Sequence, residues 1–163
     1  MKKGQLYLAT DKGERKATGS YYTPDYIVNY IVKNTVGPVI DEKWKETEAK
    51  KQSFMDATLS VKVLDPAMGS GHFLVGSIEF LTGKLLIAAQ KDIESGRLVE
   101  DAHLTPDWAR REVVAHCIYG VDLNELAVEL AKVGLWLTTI SKDKPLSFLD
   151  HRLKQGNSLI GAR

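Results

Sequence analysis

The sequence has a single cysteine, Cys117, so no intrachain disulfide can staple it, and the usage suits a reducing cytoplasmic compartment. Charge of one sign is missing too: 22 Lys and Arg stand against 21 Asp and Glu, a formal net charge of +1. A field that small argues neither for nor against a polyanionic partner. No cationic start runs into an apolar stretch, so no signal peptide is expected. Long apolar runs are also absent. The most apolar segment, residues 73–89, is interrupted by Glu79 and Lys84, which points away from the membrane and toward a helix buried in protein. His103, His116 and His151 are scattered with no ligand spacing, so no metal site is expected. What remains is an ordinary globular composition, 44% hydrophobic and 26% charged over 163 residues. That length suits one domain burying about 70% of its unfolded surface.

Residues 1–20 are polar, with a local excess of Lys and Arg, and read as an N-terminal arm; residues 21–163 read as the folded unit. In "SYYTPDYIVNYIVKNTVG" the apolar pairs recur every four residues, which predicts a helix with Thr23 as N-cap and Pro24 at the first helical position. Gly37-Pro38 predicts its end, and "DEKWKETEAKKQ" (41–52) a separate solvated helix. Residues 60–65 predict a first strand and 71–91 a long helix. Residues 92–108 predict an excursion, 109–116 a short helix, and 117–123 a second strand containing Cys117 as a small core residue. Residues 124–140 predict a strong helix capped by Asn124, and "HRLKQGNSL" a third strand. Trp108 and Trp136 read as packing residues. Strand, helix, strand, helix, strand predicts a parallel α/β sheet whose strand tips share one edge, where such sheets bind ligands.

All three tips are unusual. The first, "VLDPAMGSGHFLV", puts Asp65, Gly69 and Gly71 in one turn that opens a helix. The glycines permit close approach of a ligand to the backbone, and the helix aims free N–H groups at it. A pyrophosphate-binding turn would be G-x-G-x-x-G, but the third position holds Leu74, and Asp65 would face a phosphate poorly. A ligand bearing an ammonium group and no phosphate fits better, and S-adenosylmethionine is one. The second tip ends in Asp122, an acid placed to hold ribose hydroxyls, or simply to cap the helix beginning near Asn124. The third carries Asn157, which offers both donor and acceptor to an adenine edge, or forms an ordinary Gly-Asn turn.

With "YYTP", these three tips make the chain resemble the N6-adenine DNA methyltransferases, nearest to the large restriction–modification methylases whose motif order puts Y-T-P first. The likeness covers roughly residues 18–161. The four motifs are "GSYYTP", "VLDPAMGSGHFL", "IYGVDLNELAVELAKVGLWL" and "DHRLKQGNSLIG". The resemblance implies a partial Rossmann-like, three-layer α/β methyltransferase fold with parallel strands and S-adenosyl-L-methionine as cofactor. It implies that Tyr22, Thr23 and Pro24 contact the methionine end, that Asp65 binds the amino group, and that Ala67, Gly69 and Gly71 line the turn with Phe73 packed nearby. Asp122 would hold the ribose, Leu123 would pack on adenine, and Asn157 would read its amino group. Met68 stands where the family frequently has Cys, a soft substitution expected to change little. The family's catalytic [DNS]-P-P-[YFW] has no counterpart, since the prolines at 24, 38, 66, 106 and 145 are never adjacent. The expectation is a cofactor-binding portion without its own catalytic residues, from a longer enzyme that methylates double-stranded DNA. The unpaired edge of a shortened sheet predicts self-association. A methyltransferase acting on RNA, protein or a small molecule, and a non-catalytic module that kept the fold, are the alternatives.

Overall fold

The computed structural model describes residues 23–99, 101, 103–139 and 149–160; the predicted arm and Tyr22 lie outside them. Three parallel strands, β1 (Val63–Asp65), β2 (Ile118–Asp122) and β3 (Leu153–Gln155), form one sheet in the order β1-β2-β3. Val63 pairs with Ile118, Asp65 with Gly120, and Asp122 with Gln155. Alternation puts Val63, Ile118, Gly120 and Leu153 on a buried face. On the opposite face Leu64 is 59% exposed, and the Arg152 guanidinium lies 4.9 Å from the centre of the Tyr119 ring.

The helices are α1 (Asp25–Lys50), α2 (Phe54–Leu59), α3 (His72–Glu94), α4 (Pro106–Cys117) and α5 (Glu125–Thr139). Leu74, Ile78, Leu81 and Leu85 form a fully buried stripe along α3 at helical spacing. By length and composition alone this helix is long and apolar enough to cross a membrane, but it is the central core helix, packed against α1, α2, α4 and two strands. The parallel α/β expectation therefore holds, with a helical layer on the buried face of the sheet; the third layer that the resemblance implies is not seen among the described residues.

The break predicted at Gly37-Pro38 does not occur. α1 runs through it because Val28, Val32, Val36, Gly37 and Ile40 form one continuous buried face, and that packing outweighs the hydrogen bond that Pro38 cannot donate. The start is Pro24 as N-cap, one residue later than expected, and the end is Lys51 in a left-handed conformation, φ 53°. The predicted separate helix at 41–52 is thus the second half of α1. Its Trp44 is anchored, donating from Nε1 to Thr58 Oγ1 at 2.9 Å and meeting Phe54 edge-on. α2 carries no sequence forecast. Its first turn is held from a distance: the buried Asp92 carboxylate accepts from Phe54 N, Met55 N and Ser53 Oγ, each at 2.9 Å.

α1 and α3 run side by side in the same direction. Asp25 meets His72 at 2.8 Å, a Cβ on Gly76 would lie 2.5 Å from Val28 Cγ1, a Cβ on Gly37 would lie 3.6 Å from the Phe80 ring, and Lys84 bridges to Asp41 at 3.0 Å. Both helices consequently start at the same end of the molecule, beside the carboxyl tips of the strands.

Cys117 ends α4 rather than opening β2, and it is fully buried, as expected of a core residue. Burial pushes its thiol up to about 11, with Lys62 and Arg152 opposing. The thiolate is the reactive form. Native protein at neutral pH is therefore expected to resist Ellman's reagent over a time in which denatured protein reacts fully, and comparable rates would contradict this burial.

Candidate functional site

The three strand tips meet at one edge. After β1, Asp65 Oδ1 accepts from Ala67 N at 3.1 Å, which starts the turn. Met68 N then donates to Val121 O at 3.0 Å, and Gly69 N donates to Asp122 Oδ2 at 2.8 Å. The turn is thereby drawn across the tip of β2. Gly69 and Gly71 have φ of 54° and 84°, values that L side chains rarely adopt. They differ in their surroundings. A Cβ on Gly71 would press within 3.1 Å of Ala131 and 3.2 Å of Leu135 in α5, whereas a Cβ on Gly69 would meet nothing within 4 Å. Gly71 is required for packing, and Gly69 faces open space.

Met68 is buried, and its sulfur fills the volume that a Cβ on Gly120 would need. The small residue in the middle of β2 and the long soft one in the turn are therefore a matched pair. Sequence reasoning missed Gly120; the only signal was a glycine inside a strand, which marks close backbone approach.

Asp122 uses both carboxylate oxygens. Oδ2 takes the Gly69 N–H, and Oδ1 takes the N–H of Asn124 at 2.8 Å. Asn124 in turn caps α5, its Oδ1 accepting from Leu126 N at 3.0 Å. Each Asp122 oxygen keeps a second lone pair for an incoming hydroxyl. Asp65 sits on the neighbouring strand. Burial raises its pKa, the Ala67 N–H pulls the other way, and the Asp122 charge adds to the rise. The two acids are close enough to repel one another, so a cation or an N–H-bearing group between them would be welcome.

At the third tip, Gly156 N donates to Asp122 O at 2.9 Å, tying β3 to the same site. Asn157 Oδ1 accepts from Leu159 N at 3.0 Å and Ile160 N at 3.3 Å, an Asx-type turn that leaves its Nδ2 as the group to meet a ligand. Leu123, which follows Asp122 in the chain, is 69% exposed. Phe73 is half-buried against the core, while Pro66 and Ala67 are exposed on the turn. Thr23 and Pro24 are half-buried at the start of α1, next to the first residue of α3. Asp65, the glycine turn, Asp122 and the start of the Asn157 turn are thus brought to one edge, Thr23 and Pro24 lie near it through the Asp25–His72 contact, and Phe73 packs on the core instead. A recess of about 400 Å³ elsewhere, lined by Lys43, Glu46 and Ser60 among others, shares none of them.

Comparison with known proteins shows which family the chain is similar to. The chain is 31% identical to the type II restriction enzyme and methyltransferase RM.Eco57I of Escherichia coli over 85% of its own length. It is 30% identical to RM.MjaORFECS2P of Methanocaldococcus jannaschii over 96% of its length, and 25% identical to the adenine-specific methyltransferase PglX of Streptomyces coelicolor over 85%. It spans only 14%, 16% and 9% of those proteins, respectively. The N-6 DNA Methylase family matches residues 7–158, which include all three strand tips, and the chain belongs to that family.

Proposed function

We propose that this edge binds S-adenosyl-L-methionine and that the chain is the cofactor-binding portion of a DNA adenine-N6 methyltransferase of a restriction–modification or phage-defence system. The observation that carries the reading is the Gly69 N–H to Asp122 bond. It folds a glycine turn over the next strand so that Asp65, the turn and Asp122 line one continuous edge.

The residues fit the cofactor's chemistry. Asp122 would accept from the ribose hydroxyls through its remaining lone pairs, and Asp65 would receive the amino group, its charge relieved by the cation. Gly69 would let the ligand lie against the backbone, where the structure leaves room for it. Leu123 would pack on the base, and Asn157 would donate from Nδ2 to a ring nitrogen, since its Oδ1 already serves the turn. When bound, S-adenosylmethionine supplies an electrophilic methyl group on sulfonium. This chain's share of the reaction is to hold that group in a fixed place and direction. The acceptor would be an adenine in double-stranded DNA, a reading supported by the family's description as N-6 DNA methylases and by relatives named as adenine-specific methyltransferases.

Calorimetry tests the reading. Titration of the folded chain with S-adenosylmethionine is expected to give saturable one-to-one binding, and the full-length protein is expected to place labelled methyl on N6 of adenine in duplex DNA. A folded chain that gives no heat at millimolar cofactor would overturn it.

A further inference from the structure

The first turn of α3 is held from both sides. Gly71 abuts Ala131 and Leu135 of α5, and the next residue, His72, has its Nε2 2.8 Å from Asp25 Oδ1 at the first residue of α1. One helical turn further, Gly76 has no room for a side chain because Val28 occupies that space, 2% exposed. Glycine inside a helix lowers its stability relative to alanine, so the bare position at 76 serves the close approach of α1.

The electrostatics of the pair follow from where it sits. Both residues occupy the first turn of a helix, where a negative charge is favoured and a positive one is not. Asp25 is well placed on α1 and also offsets any positive charge on His72 at the start of α3. Its side chain is 75% exposed, so it seals no core.

The residues just before Asp25 are Thr23 and Pro24, and Pro24 O accepts from Ile27 N and Val28 N at 3.0 and 3.2 Å, which ties Pro24, and Thr23 next to it in the chain, to the first turn of α1. The strand order fixes which end of a ligand they meet. Asp122, Leu123 and Asn157 lie at the tips of β2 and β3, next to α5. Asp65 lies at the tip of β1, and α1 approaches α3 across the turn from α5. A nucleoside held at β2 and β3 therefore extends its other end toward Asp65 and the start of α1.

We propose that the Asp25–His72 pair, seated on the Gly76–Val28 contact, is a latch that positions Thr23 and Pro24 against the amino-acid end of the bound cofactor. The proposal rests on the cofactor reading above. Neither residue of the pair need touch the cofactor; they act through the segment they hold.

The test compares two ligands on the full chain. S-adenosylmethionine carries the amino-acid end, and 5′-methylthioadenosine lacks it while keeping the nucleoside and sulfur. Asp25→Asn is expected to weaken S-adenosylmethionine by about fivefold and to leave 5′-methylthioadenosine within about twofold, while Asp25→Glu keeps both near wild type. A general loosening of the fold would weaken both ligands alike. Equal losses for the two, or an Asp25→Asn protein that binds S-adenosylmethionine as wild type does, would overturn the latch and leave the cofactor reading standing. A wild-type chain that binds neither ligand overturns that reading and the latch with it.

Discussion

Replacing Asp122 by Asn is expected to destabilise the chain by about 2–3 kcal/mol and to weaken S-adenosylmethionine by at least about tenfold. The substitution is nearly isosteric, so the effect comes from hydrogen-bond polarity alone. Both carboxylate oxygens accept from backbone N–H groups, Gly69 on one side and Asn124 on the other. An amide has one oxygen. Its NH2 must face one of those two donors, and in this part-buried turn a donor facing a donor leaves both without an acceptor. Either the glycine turn lifts from β2 or the entry to α5 loosens. Denaturant melts of wild type and variant measure the first effect and calorimetry the second. An Asp122→Asn protein as stable as wild type would show that the Gly69 bond does not hold the turn.

Replacing Asp65 by Asn is expected to do the reverse to stability. Ligand-free protein should melt at a higher temperature, not a lower one, while S-adenosylmethionine affinity falls by about 10–100-fold through loss of a charged acceptor for its ammonium group. Asp65 has its pKa raised in the folded state by burial, against the pull of the Ala67 N–H, with the Asp122 charge adding to the rise. An acid whose folded pKa is raised is ionised at neutral pH at a cost that the unfolded chain does not bear. Asn removes that cost and can still accept from Ala67 N. In a chain this size each 1 kcal/mol of stability shifts the melting temperature by about 2–4 °C, so even a small gain is readable. The sign with pH follows. The advantage of Asn over Asp is full at neutral pH and shrinks as pH falls through the raised folded pKa toward the ordinary value of 3.8, because Asp65 then becomes neutral itself. Melting curves across that range check the direction, and a variant that melts lower at neutral pH would refute it. Stability and ligand affinity moving in opposite directions at one residue is the pattern of a group kept for binding.

The parts of the fold that were legible in the sequence were those written locally. Gly69 and Gly71 mark a turn with positive φ because no other residue adopts it cheaply, and Asp122 and Asn157 stand out because polar residues punctuate apolar strands. Both readings of Asp122 were visible, and the structure shows the helix-side one directly: the carboxylate does hold the entry to α5. What was not legible depends on contacts far apart along the chain. Gly37-Pro38 is a sound local stop signal, yet α3 supplies a long apolar surface and α1 continues across it. α2 is too short to persist on propensity, and it exists because Asp92, on another helix, satisfies its first N–H groups. The partnership of Asp25 with His72, and of Gly76 with Val28, leaves no trace in spacing, since nothing in either segment names its partner.

Leu64 and Tyr119 stand on the side of the sheet that no described helix clads, although parallel sheets are ordinarily clothed on both. Strand register here is enforced from one side only. The bare side is consequently where substitutions can accumulate with little penalty for this chain by itself, and where they would first be felt once another surface came to rest on it.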